Sequence, residues 1–256
     1  MNHSFILCRG EDEKRVEMQK TEMRRRKVRP NTERFEQIAE AAIACFSELG
    51  YRRTQVADIA KQTGAAAGTL YLYAESKEAL LHLAIMRLCG LPFEGLAAPL
   101  PTPPIGETVA LLRTAVGQRI RWPALDAALA RPSARTRQDL TAIGLELYDT
   151  LAAERRAIWL IDRCSLDIPE LGELHRDIMH GGYLSALIRL LEKQSDWPTE
   201  RIAIAVRAAL EMVAWTAMHR RRGDRLHTDG ITPANESEIR DVATRCFAAA
   251  LTVVSD

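Results

Sequence analysis

A chain of 256 residues, 47% hydrophobic and 27% charged, is long enough to bury one large core or two modest ones, and this balance argues against a disordered or fibrous protein. The formal net charge is only +1, so bulk charge selects no class of partner. Five cysteines, at positions 8, 45, 89, 164 and 246, stand singly without a CxxC pair or Cys/His ligand spacing, which suits free thiols in a reducing compartment better than a disulfide frame or a metal knuckle.

The first residues, MNHSFILCRGEDEK, hold an apolar run too short for a signal peptide. Met18 and Met23 offer alternative starts to Met1. Residues 1–30 read as a flexible basic arm, with Lys20, Arg24, Arg25, Arg26, Lys27 and Arg29 clustered at its end. Such a run is either a solvated tail or an arm that reaches nucleic acid phosphates.

Helical periodicity then dominates and strand signals are nearly absent, so the expected fold class is all-α. From Asn31, NTERFEQIAEAAIACFSELGY puts Phe35, Ile38, Ala42, Cys45, Phe46 and Leu49 on one face. Asn31 or Thr32 is the candidate cap, and Gly50 ends the helix in the left-handed conformation. TQVADIAKQ predicts a short helix with Thr54 as its cap, Gly64 a sharp turn, and AAGTLYLY a second short helix. SKEALLHLAIMRLCG opens a longer helix with Ser76 as cap.

The spacing Ala60 to Gly64, a small residue and a turn glycine with Val56, Ile59 and Leu70 as the apolar wedge, meets the needs of a helix-turn-helix. With Leu70 inward, steps of about 100° per residue turn Gly68 and Leu72 outward, flanked by Thr69 and Tyr71, with Tyr73 near the edge. Glycine and alanine give clearance to a duplex, hydroxyls donate to phosphates, and Leu72 suits a thymine methyl. The alternative is that both tyrosines pack inside a bundle.

The stretch ERFEQIAEAAIACFSELGYRRTQVADIAKQTGAAAGTLYLYAESKEALLHLAI, from about Glu33 to Ile85, resembles the DNA-binding module of the TetR family of bacterial transcriptional regulators. The resemblance implies a homodimer that binds a palindromic double-stranded DNA operator and releases it when a small molecule binds. It places a phosphate-contacting hydroxyl at Thr54, the Gly-Thr pair of the reading surface at Gly68 and Thr69, the tyrosine pair at Tyr71 and Tyr73, and a phosphate-binding lysine at Lys77. Gln55 joins Thr69, Tyr71 and Leu72 as a candidate base contact. Two positions depart from the family pattern. Ala66 stands where relatives carry Ser, which removes a phosphate contact and a cap. Ala74 stands where relatives carry Phe, so the core there must be filled from elsewhere. The recognition helix offers no Arg, Lys, Asn or Gln, which shifts the expected burden to Arg25, Arg26, Lys27 and Arg29 of the arm.

The module is expected over residues 31–78 and a larger helical bundle for ligand binding and dimerisation over 79–256. LPFEGLAAPLPTPP holds five of the eleven prolines and reads as a loop or linker. Further helices are expected over 106–122, 135–164, 170–194, 199–222 and 235–254. The 199–222 segment is apolar nearly all round, so it reads as buried on most faces. With 235–254 it corresponds to the family's dimerisation helices, an ordinary core helix being the alternative. It also carries Arg207 and Glu211 and is short for a bilayer, so a cytoplasmic protein without a membrane partner is expected.

Candidate effector contacts are Trp122, Tyr148, Trp159, Asp162, His175 and Met179, with His180 nearby, apolar bulk plus a few polar groups being what a helical pocket needs. Core filling is the alternative for each. His175 and His180 are five apart, which is not the i, i+4 spacing of a helical metal pair, so neither a metal nor a cofactor is expected. The chain shows no Gly-rich phosphate loop and no G-x-S-x-G, so an enzyme ranks below a regulator. A helical scaffold for protein partners is the other alternative.

Overall fold

The computed structural model describes residues 32–131, 136–218 and 236–255. The described residues form an all-α fold with no strand: an N-terminal helix-turn-helix module joined to a larger helical bundle.

Helix α1 (Thr32–Leu49) buries Phe35, Ile38, Ala42, Cys45 and Phe46, the face its periodicity predicts, while Leu49 is half-buried. It stops at Gly50, whose φ of 83° only glycine adopts without strain. A Cβ there would also lie 3.2 Å from the carbonyl oxygen of Arg163, so the glycine lets a distant helix approach. Helix α2 (Val56–Gln62) is capped one residue later than expected. Gln55 is its cap, and the Asp58 carboxylate accepts from the Gln55 N–H at 2.8 Å. Gly64, at φ 66°, makes the turn, and buried Ala60 admits the next helix.

Helix α3 (Ala67–Leu70) is only four residues long, and its turn runs on through a Tyr73 N–H to Leu70 carbonyl bond of 2.9 Å. Helix α4 (Lys77–Leu88) starts as expected, with the Ser76 hydroxyl accepting from the Ala79 N–H at 3.1 Å.

The proline-rich segment is a loop, but it turns back onto the module. The Leu100 N–H donates to the Tyr73 carbonyl at 2.8 Å and the Glu75 N–H to the Leu100 carbonyl at 3.0 Å, a single parallel bridge centred on Ala74 and Leu100. Leu100 and Phe93 are buried, and the Phe93 ring centre lies 6.3 Å from that of Phe35. Ala74, Phe93 and Leu100 lie in one buried core.

Helix α5 (Ile105–Arg119) follows, then α6 (Pro123–Ala130), a short helix that the sequence reading did not anticipate although proline at a first helical position is a start signal. Helix α7 (Arg137–Cys164) opens with a Thr136/Asp139 capping box. The single helix expected over 170–194 divides into α8 (Pro169–Arg176), a π-helical stretch (Asp177–Leu184) and α9 (Ser185–Glu192). Helices α10 (Thr199–Ala217) and α11 (Glu236–Thr252) complete the bundle. Gly144 lets α11 close on α7, since a Cβ there would meet the Phe247 ring at 2.8 Å. No helix among the described residues is long and apolar enough to cross a membrane.

Two apolar cores result. The first joins α1 to α4 with Phe93, Leu100, the start of α5, Leu160, Ile161 and Cys164 of α7, and α8. The second joins Leu140, Ile143, Leu147, Tyr148 and Leu151 of α7 with α6, α9, α10 and α11. Helix α7 thus runs from one core into the other.

Candidate nucleic-acid interface and effector cavity

Leu70 is wholly buried and anchors α3, so the helical turn presents the opposite side to solvent. Tyr71 is 50% and Leu72 53% exposed, unusual for residues that large and apolar. Gly68 and Ala66 lie beside them, exposed, with open space around Gly68. Thr69 is half-buried, and Gln55 is exposed at the head of α2. Tyr73 is half-buried, its ring edge set against Phe35 at 5.5 Å, so it supports the helix from the core side.

Two expected phosphate contacts are placed differently. Thr54 is fully buried, and its hydroxyl donates inward to the carbonyls of Gly50 at 2.7 Å and Cys45 at 3.2 Å. The Gly50 carbonyl also accepts the Thr54 N–H at 3.3 Å, so the threonine closes the turn after α1 onto the helix. Lys77 is half-buried. Its Nζ donates to the carbonyls of Tyr51 at 3.1 Å, Thr54 at 3.2 Å and Arg52 at 3.5 Å, and lies 4.4 Å from the Tyr51 ring centre. The negative end of the α1 dipole draws an ammonium with three donors, so Lys77 ties the loop between α1 and α2 to α4. Beside it the Tyr51 hydroxyl donates to Glu78 Oε1 at 2.5 Å. That bond holds the Glu78 carboxyl below its ordinary range, while burial and Glu78 push the Tyr51 hydroxyl well up.

Other cations of the module are exposed. Arg52, Arg53 and Lys61 are exposed around Gln55 and α2. Their signal was the RR immediately before T-x-V, which reads in sequence as mere flank. The end of α1 and the loop after it dock on the end of α7 and the turn beyond it: Arg163 Nε donates to the Glu48 carbonyl at 3.1 Å, and the Arg52 N–H to Asp167 Oδ2 at 2.8 Å. Arg25, Arg26, Lys27 and Arg29 lie outside the described residues.

The bundle leaves space beside the C-terminal half of α7. A cavity of about 230 Å³ is lined by Ile158, Trp159 and Asp162 of α7, His175 of α8, and Arg207, Leu210 and Glu211 of α10. A tighter, almost wholly apolar one lies between Val116 of α5, Ile120 and Trp122 just beyond that helix, Leu151 and Ile161 of α7, and Tyr183, and shares Ile158 and His175 with the first. Trp122, Trp159, Asp162 and His175 stand at these walls. Tyr148 does not: it is buried in the second core, and its hydroxyl donates to Glu236 Oε1 at 2.7 Å, tying α7 to α11. The side chains of Met179 and His180 lie outside the described set. Glu154, Tyr183, Arg207 and Glu211 are wall residues that carried no sequence signal beyond helical periodicity. The Trp159 Nε1–H is buried and has no acceptor among the described residues, a deficit worth about 1–3 kcal/mol. Among the described residues no three potential ligands gather to hold a metal.

Helix α10 is less buried than its apolar sequence suggests. Ile204 is 71% and Trp215 51% exposed. Val242 and Val253 are also exposed, and Cys246, Ala249 and Ala250 extend the apolar stripe on α11.

Residues 38–84 match the model of the family described as bacterial regulatory proteins, tetR family. The fatty acid metabolism regulator protein of Bacillus subtilis (strain 168) is 48% identical over 48 residues, 19% of this chain and 25% of the relative. The chain thus matches about a quarter of the length of the curated relatives it resembles. Among solved structures, a TetR-like transcriptional regulator from Rhodococcus sp. RHA1 aligns over 87% of this chain and 96% of its own, at 18% identity and a TM-score of 0.45. The transcriptional regulator FadR from Bacillus subtilis, in complex with stearoyl-CoA, aligns over 87% and 98%, at 18% identity and a TM-score of 0.38.

Proposed function

We propose that this chain, which carries the DNA-binding module of the TetR family at residues 38–84, is a ligand-responsive repressor that binds a two-fold double-stranded DNA operator as a homodimer. The observation that carries the reading is the outward face of α3. Tyr71, Leu72 and Gly68 are exposed on a module that buries most of its large apolar groups, and Arg52, Arg53 and Lys61 are exposed on the same module. Aromatic and apolar groups among cations fit a groove between two phosphate rows. The face lacks bidentate readers, so DNA shape carries much of the specificity, with the basic arm before Thr32 as its reader.

The exposed stripe of Ile204, Trp215, Val242 and Val253 supports pairing through α10 and α11, because apolar patches of that kind are covered in stable proteins. A two-fold protein in turn suits a palindromic site. The space between the cores supports an effector with an apolar body. The unpartnered Trp159 indole N–H favours one that offers an acceptor there. The curated relative named as a fatty acid metabolism regulator, matched only over its DNA-binding portion, makes fatty acyl compounds the first effectors to try.

The test is selection of duplexes by the full chain from a random library, followed by mobility-shift titration at several salt concentrations. The expected result is a two-fold consensus and an affinity that falls steeply with salt. Tyr71→Ala with Leu72→Ala abolishes the shift while leaving stability within about 0.5 kcal/mol, since both groups are exposed. Selection of no consensus sinks the reading. Trp215→Glu with Val242→Glu is expected to give monomers by sedimentation; an unchanged dimer moves the interface elsewhere.

A further inference from the structure

We propose that the proline-rich segment 91–104 is a strap through which the state of the effector cavity reaches the recognition helix. The proposal rests on the DNA-binding reading above. A linker that only spans α4 to α5 has no need to touch the module again. This one pairs with Ala74 on both sides, the Leu100 N–H giving to Tyr73 and the Leu100 carbonyl taking from Glu75. It adds two polar ties at the start of α4. The Thr102 N–H donates to Glu75 Oε2 at 3.1 Å, and the Thr102 hydroxyl to the Ser76 hydroxyl at 2.8 Å. Ser76 in turn caps α4. The strap therefore grips the turn that fixes the trailing end of α3 and the leading end of α4 together.

Its other attachment is α5. The strap runs directly into Ile105, and at the far end of that helix Val116 and Ile120 form cavity wall. Arg119, between them, pairs with Glu154, itself a wall residue, and donates to the Leu88 carbonyl at 2.8 Å, where the strap departs. Both ends of the strap are thus tied to a helix that borders the cavity, while its middle holds the recognition turn. Helices move as rigid pieces, so a guest that displaces α5 pulls Leu100 against Ala74. At Ala74 the chain has no large side chain of its own, and Ala74 is buried in one core with Leu100, its bridge partner, and Phe93. Its register is consequently set by the strap.

The experiment uses the full chain with a filled cavity standing in for a ligand. Val116→Phe adds bulk at the cavity end of α5, and Ile120→Phe does so if the first variant fails to fold. Amide exchange by NMR at Leu100 and Glu75 is expected to quicken about tenfold, and affinity for a library-selected duplex to fall about fivefold. The same variants are then made with Ser76→Cys and Thr102→Cys in a Cys8→Ser, Cys246→Ser chain. Closing that disulfide staples the strap, and comparison of oxidised with reduced forms of one variant cancels the lost α4 cap. With the staple closed both responses are expected to shrink below about twofold. Exchange at Leu100 and Glu75 that ignores the filled cavity overturns the proposal, as does a DNA response that persists with the staple closed. If the chain selects no duplex, the DNA-binding reading fails, and the exchange measurement still decides whether cavity and strap are linked.

Discussion

The two cores of this molecule do different work. The first spans the helix-turn-helix, Phe93 and Leu100 of the strap, the end of α7 and α8, so the module is fused to the bundle and not hung from it. The second is confined to helices of the bundle and has, on its outer side, an exposed apolar stripe. The tighter cavity lies where the two fail to meet, along the C-terminal half of α7, and the larger one adjoins it on the side of the second core. A boundary between function-bearing regions drawn at residue 78 or 79 therefore follows the chain and not the packing. Space for a guest arises at a seam between cores because close packing inside each leaves none.

The largest expected effect tests that seam. Phe46→Ala empties the first core and Phe247→Ala the second, each at a cost of about 3–5 kcal/mol. If the cores are separable, Phe46→Ala speeds amide exchange in α1 to α4 and α8 first, and Phe247→Ala in α10 and α11 first. One identical pattern for both variants would mean that α7 couples them into a single unit. A smaller effect is expected within the second core alone. Gly144→Ala gains about 1 kcal/mol of helix propensity. It still lowers the urea midpoint, because the added methyl meets Phe247 at 2.8 Å and overpacking costs about 1–3 kcal/mol. A raised midpoint would show that α11 can back away.

The smallest effect belongs to the first core. His82 lies between α4 and α5, its Nδ1 2.8 Å from the Thr108 hydroxyl. Burial holds its pKa below the ordinary histidine value, with Glu107 opposing. The unfolded chain therefore takes up the proton first as pH falls, so this contribution to stability is present above about pH 6.5 and lost below it. His82→Gln is expected to flatten the urea midpoint between pH 7 and 5, and an unchanged slope would assign the acid response to other groups.

The chain alone determined what depends on neighbours three or four residues apart. The buried face of α1, the left-handed glycines at 50 and 64, the Ser76 cap and the outward set of Tyr71 and Leu72 all follow from helical periodicity and local backbone preference. The motif set from Glu33 to Ile85 carried the module with them. Only the tertiary structure decided the rest, since those outcomes rest on partners far away in sequence. Thr54 turned inward onto the Gly50 and Cys45 carbonyls, and Lys77 closed on the same loop from 23 to 26 residues away. Tyr148 left the cavity wall for Glu236, 88 residues on. The proline-rich linker became a strap because Leu100 bridges to Ala74 and lies with it and Phe93 in one buried core. Periodicity says which side of a helix is apolar; what meets that side is settled only when the whole chain has packed.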